Sequence, residues 1–191
     1  MKTSLNCSKA EVIPNGVDMG LFKPIDKIES RHKTGFSIDK KIIVFIADPD
    51  RDEKNFELAK SSVAYYNREN PTNQAELCIV NQIEHQQVPV YINASDVVIL
   101  TSKWEGSPNI IKEAMACNVP IVSTDVGDVK EIIGATEGCF VCKADYKEIG
   151  SAISRALKFD RTEGRIHITH LDSREISSKL VEIYKKLIND K

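Results

Sequence analysis

Glu105 and Glu113 stand eight residues apart and bracket the segment Glu-Gly-Ser-Pro-Asn-Ile-Ile-Lys-Glu. Ser107 is a residue type suited to a helix N-cap, and Pro108 suits the first helical position. The spacing predicts a turn led by Gly106 and a helix over Ser107–Cys117, with Ile110, Ile111, Ala114 and Met115 as its apolar stripe. Gly106 lets the backbone of the turn come close to a ligand. The free N–H groups and the positive end of the helix dipole favour an anion such as a diphosphate. Glu105 lies just outside the helix, where a carboxylate can accept hydrogen bonds from sugar hydroxyls. Glu113 lies about 7.5 Å along the helix axis and shares a face with Asn109. Two carboxylates around such a helix start suit a ligand that carries an anionic group and several hydroxyls, and a nucleotide sugar is one. From spacing alone, a plain helix start with a solvated glutamate is an equal reading, because glutamate favours helices generally.

A turn of this kind has to be held at the end of a strand. Five short apolar runs read as buried strands: Ile42–Ala47, Leu77–Val80, Val97–Leu100, Pro120–Ser123 and Cys139–Cys142. Helical patterns lie between them. One covers Glu53–Asn70, and another opens at Asp145 with Glu148 three residues on, a capping box. A last one opens at Ser173 with Ile176, Leu180, Ile183 and Leu187 on one face. Strands alternating with helices imply parallel strands and right-handed crossovers. The expected fold is therefore α/β, a single doubly wound parallel-sheet Rossmann-like domain, in which ligands bind beyond the carboxyl ends of the strands. The segment 105–113 follows directly from the strand Val97–Leu100, at that edge. Residues 159–172 read as a polar connector.

Composition narrows the classes of function. The chain has 191 residues, enough for one real core, with 26 basic and 28 acidic residues and a net charge of −2. That balance gives no footprint for nucleic acid. No apolar run approaches the roughly 20 residues that span a bilayer, and no signal-peptide pattern opens the chain, so a cytoplasmic location is expected. Five cysteines, an odd number at irregular spacing, read as reduced thiols rather than a disulfide framework.

Taken together, Glu105-Gly106-Ser107-Pro108-Asn109, Glu113-Ala114-Met115-Ala116 and Val119-Pro120-Ile121-Val122-Ser123-Thr124-Asp125-Val126-Gly127 resemble the EX7E signature of retaining family-4 glycosyltransferases. Val12-Ile13-Pro14-Asn15-Gly16-Val17-Asp18, with Phe22 and Pro24, resembles the motif that opens the C-terminal domain of those enzymes. The likeness continues to Gly138 and to the final helix with Tyr184. It implies the C-terminal half of a GT-B fold, divided as a hinge-like segment over 1–24, a nucleotide-sugar-binding Rossmann-like domain over 25–160, and a connector with a C-terminal helix over 161–191. By this resemblance Glu105 contacts the donor sugar near the reacting carbon, and Glu113 binds the ribose. Gly106, Ser107, Pro108, Asn109 and Ile110 line the sugar and phosphate. An arginine and a lysine normally clamp the diphosphate. Lys54 matches the lysine; Pro49 stands at the usual arginine position, which leaves Arg51 as the basic neighbour. A solvated charge cluster with Asp50, Asp52 and Glu53 is the competing reading of Arg51 and Lys54. The base is expected near Asn81–Ile83.

The resemblance thus implies a nucleoside-diphosphate sugar as donor, with no cofactor and no required metal. Asp48-Pro49-Asp50 has a metal-binding DxD form but reads as a turn. Cys139 and Cys142 lie three apart in a strand and so face opposite sides. His167 and His170 with Asp172 read as polar connector. Lys179, Lys185 and Lys186 could bring the last helix to a membrane surface, but an amphipathic helix packed on the sheet is the favoured reading. The family's acceptor domain is not within this chain, and Met1–Lys9 resembles the interior of a longer protein. The implied partner is a separate acceptor-binding glycosyltransferase domain, with peripheral association at the inner membrane face through it. The alternative is a truncated or non-catalytic nucleotide-sugar-binding or interaction module, since fold does not fix function.

Overall fold

The computed structural model describes residues 12–189; the expectation for Met1–Lys9 lies outside them. Five parallel strands form one sheet in the order β2-β1-β3-β4-β5. They are β1 (Lys41–Ile46), β2 (Ala75–Val80), β3 (Val97–Leu100), β4 (Ile121–Thr124) and β5 (Cys139–Cys142). The expected strands all form: β3 and β5 with the expected ends, the others with ends shifted by one or two residues. Alternation along the strands feeds two cores. Ile42, Val44, Val98, Leu100 and Ile121 pack on one face against α3 (Val88–Ala94), α4 (Asn109–Ala116) and α5 (Val129–Ile133). Ile43, Phe45, Val97, Ile99 and Val122 pack on the other against α2 (Phe56–Glu69) and α6 (Tyr146–Ala156). Cys139 and Cys142 fall into opposite cores, as strand geometry requires. α1 (Lys27–Thr34) packs on α3 outside the first layer. This is the expected doubly wound architecture, and its order reverses between β1 and β3, which makes the gap beyond their carboxyl ends the switch point.

Three expectations are corrected. The helix expected over Glu53–Asn70 begins only at Phe56. Asp52–Lys54 forms a separate 3-10 turn, and Asn55 sits in the left-handed region at φ 52°. The reason is tertiary: the Thr101 hydroxyl hydrogen-bonds the carbonyls of Lys54 and Asn55 and fixes the kink. The polar connector is also structured. It holds α7 (Gly164–His167) and a 3-10 turn (Thr169–Leu171), and it buries Ile168 and Leu171, while His167 and His170 stay exposed. Finally, α8 (Ser173–Asn189) does not lie on the sheet, because both faces are already covered. It packs against the 3-10 turn before it; Ile176 joins the core, and Val181, Tyr184 and Ile188 are exposed.

Arg165 ties this C-terminal region to the start of the domain. Its guanidinium donates to the carbonyls of Met19, Phe22 and Ala116 at 2.7, 2.6 and 2.9 Å. Val17 N donates to Leu171 O and Ser173 N to Val17 O, both at 2.9 Å. Among the described residues, no helix is long and apolar enough to cross a membrane.

Candidate functional site

The turns that follow β1, β3 and β4 are stitched into one surface. Lys103 N donates to Glu53 O at 2.8 Å, and Thr124 Oγ1 donates to Ser102 O at 2.8 Å. Within it, Lys54 from the turn after β1 and Glu105 from the turn after β3 meet over the switch point. Lys54 Nζ lies 2.7 Å from Glu105 Oε1, and that same oxygen accepts from Ser102 Oγ at 2.8 Å. Both side chains are partly open to solvent. The structure thus joins two residues 51 apart in sequence that the resemblance assigns to one ligand. Arg51 is placed differently: its guanidinium is largely exposed and pairs with Glu53. Asp48 accepts from Asp50 N at 3.0 Å, which makes Asp48-Pro49-Asp50 a side-chain-closed turn.

The helix start differs from the expected cap. α4 begins at Asn109, and Pro108 occupies the cap position in an extended conformation with no side-chain cap bond. Ser107 is not the N-cap, because its hydroxyl is taken by Lys112 Nζ at 2.6 Å. The N–H groups of the first turn therefore lack a side-chain acceptor, which leaves the helix end suited to an external anion. Gly106 is exposed, and its carbonyl side is closed by Gly127, whose φ is 56°. A Cβ at Gly127 would collide with the Gly106 carbonyl, so only glycine lets the two loops touch.

Glu113 is buried rather than solvated, with a side chain only 11% exposed. Burial pushes its carboxyl above the usual range, opposed by a hydrogen bond to His85. His85 Nε2 lies 3.3 Å from Glu113 Oε1, and its ring packs edge-on against Phe22 at 5.3 Å. His85 follows β2, close to the stretch 81–83 where a base was expected. Sequence reasoning missed it, because a lone histidine in a loop between β2 and α3 carries no pattern. It also missed Lys112, which is fully buried. Lys112 donates to Asn15 O at 3.0 Å as well as to Ser107 Oγ. Burial draws its ammonium below the ordinary value, and the charges of Asp128 and Glu113 pull the other way. Asp128 Oδ1 is itself buried without a hydrogen-bond partner.

This surface offers an open helix end, a lysine paired beside the turn before it, one partly exposed carboxylate on that turn and one buried carboxylate within α4. The combination can hold a diphosphate between groups that read hydroxyls on either side. Residues 72–158 match the family model described as glycosyl transferases group 1. A Bacillus subtilis (strain 168) protein named as a teichuronic acid biosynthesis glycosyltransferase, TuaC, is 27% identical over 159 residues, covering 76% of this chain and 41% of TuaC. Sucrose-phosphate synthase from Thermosynechococcus elongatus superposes with a TM-score of 0.78 at 19% identity, over 95% of this chain and 53% of that one. Anabaena HepE, solved in complex with UDP-glucose, superposes with a TM-score of 0.71 at 18% identity, over 92% of this chain and 57% of that one. The chain spans roughly half the length of each of these proteins, and its fold matches half of a GT-B glycosyltransferase.

Proposed function

We propose that this glycosyltransferase group 1 domain is the donor-binding half of a retaining hexosyltransferase of family 4 that uses a nucleoside-diphosphate sugar. The observation that supports it most is the meeting of Lys54 and Glu105 at the switch point, beside the uncapped start of α4. In this reading, the diphosphate sits on the N–H groups of Gly106, Ser107, Asn109 and Ile110. Lys54 turns toward it and neutralises the charge that builds on the leaving nucleoside diphosphate as the bond from the anomeric carbon to its oxygen breaks. Glu105, released from Lys54, receives the hydroxyls of the sugar, and Glu113 receives those of the ribose. Arg51 is the second basic group within reach of this edge. The basic groups and the helix end serve where other glycosyltransferases use a metal, so the reaction is proposed to need none.

The acceptor is bound by a second domain facing this edge, and the reading carries with it a cytoplasmic location at the inner membrane face through that partner. The UDP-glucose complex of HepE supports a nucleotide-sugar donor. Calorimetry of the folded chain against UDP-glucose and GDP-mannose, with and without EDTA, tests the reading. Saturable binding of one donor that survives EDTA is expected. Binding of neither, by a folded sample, overturns it and favours an interaction module.

A further inference from the structure

A lysine with no exposed surface is costly unless its charge and its donors are used, and Lys112 is such a residue in the middle of the candidate site. Its ammonium cannot reach a ligand directly. It grips Ser107 Oγ at 2.6 Å from behind the turn and Asn15 O at 3.0 Å on the segment that leads into the domain. From the other side the same turn rests on Gly127, with no room for a Cβ between them. In front, Glu105 is held by Lys54 and Ser102. The turn 105–107 is thus fixed at each of its three residues, and Lys112 supplies the grip at the position that would otherwise cap the helix. By taking the Ser107 hydroxyl, Lys112 removes a competing acceptor from the N–H groups of α4. Its positive charge lies under the same helix end.

We propose that Lys112 is a positioning residue that keeps the start of α4 uncapped and in place for the phosphates of the ligand, acting through Ser107. The inference rests on the donor-binding reading above. Without Lys112, the Ser107 hydroxyl is free to cap the helix, as a serine before a helix normally does, and it then competes with the phosphates for the N–H groups. The effect falls on diphosphate-bearing ligands and spares the nucleoside, whose ribose and base are held by groups outside this turn.

Calorimetry on the full chain decides it, with UDP, GDP and the two free nucleosides as probes. Lys112→Met is expected to bind its diphosphate about tenfold more weakly than the wild type, with nucleoside affinity unchanged. Ser107→Ala in the Lys112→Met background is expected to restore much of that loss, because the competing cap is gone. Unchanged diphosphate affinity, an equal loss for the nucleoside, or losses that simply add in the double variant overturn the assignment. If Lys112→Met does not fold, Lys112→Gln, which shortens the grip without a charge, carries the same comparison. A folded wild type that binds neither diphosphate overturns the donor-binding reading together with this one, whereas wild-type binding with an indifferent variant overturns the role of Lys112 alone.

Discussion

Strand β3 has an acid at each end, and the two are used in opposite ways. Asp96 precedes the strand. Its Oδ2 accepts from Arg31 Nη2 and from Ile42 N, both at 2.7 Å, and its Oδ1 accepts from Lys27 Nζ at 3.1 Å. Arg31 in turn donates to the carbonyls of Ala94 and Ile38, each at 2.9 Å, and both partners of the pair are almost wholly buried. Glu105 follows the strand and shares one oxygen between Lys54 and Ser102, with 17% of its side chain exposed. At the amino end, charges are saturated with protein partners and sealed. At the carboxyl end they are paired but accessible, so an incoming anion can take Lys54 over without breaking the core. Saturation suits a pair that supports the fold, and spare capacity is what the proposed donor-binding role asks of Lys54 and Glu105.

The sharpest way to break this contrast is at Arg31. Arg31→Met leaves Asp96 buried without its guanidinium, with only Ile42 N and Lys27 as partners, and should cost about 3 kcal/mol of stability by urea unfolding, with diphosphate affinity of the folded variant unchanged. A cost below about 1 kcal/mol would erase the difference between the two ends. Next comes Lys54→Ala, expected to weaken diphosphate binding by about 10- to 100-fold, the range of hydrogen bonds to charged groups. Melting should move little, because the Lys54–Glu105 pair is partly solvated; an equal loss for the bare nucleoside would contradict the assignment.

Glu113→Gln sharpens the comparison from a third direction. Burial raises the folded-state pKa of Glu113, so its charged form costs stability above that pKa, and the cost fades as pH falls through it. The variant should therefore melt higher than the wild type at neutral pH, by a margin that shrinks toward acid, while it binds the nucleoside less well. The smallest effect is at Asp172, whose carboxyl the Arg174 side chain and backbone N–H hold down at about 2. Its contribution should be complete above the ordinary carboxylate range near ~4 and disappear as pH falls through about 2, and Asp172→Asn should flatten that part of the acid unfolding curve.

The sheet was legible because strands buried on both faces write themselves as β-branched runs, as in Ile42 to Val44 and Val97 to Ile99. The helices that escaped were those whose inward groups are not apolar or whose length gives no period. α1 buries Ser30 and Arg31, and α5 has only five residues. The placement of Glu105 and Glu113 around a helix start after β3 was readable from their spacing. Their surroundings were not. His85 and Lys112 reach the site through backbone geometry that joins loops far apart in sequence. Lys112 in particular reads as an ordinary surface lysine until Ser107 and Asn15 are seen to enclose it. The misread cap has the same source: a serine before a proline is a good N-cap unless a buried ammonium takes its oxygen first.

The grip of Arg165 on the carbonyls of Met19 and Phe22 has a consequence for the order in which the chain becomes folded. Residues 17–22 are made before the strands, yet their partners at 165–173 emerge only after all five strands have been made. The sheet can assemble during synthesis, but the hydrogen bonds of Val17, Met19 and Phe22 to Leu171, Ser173 and Arg165 wait for residues that follow β5. Contacts this distant in sequence form slowly, so this closure comes late in folding.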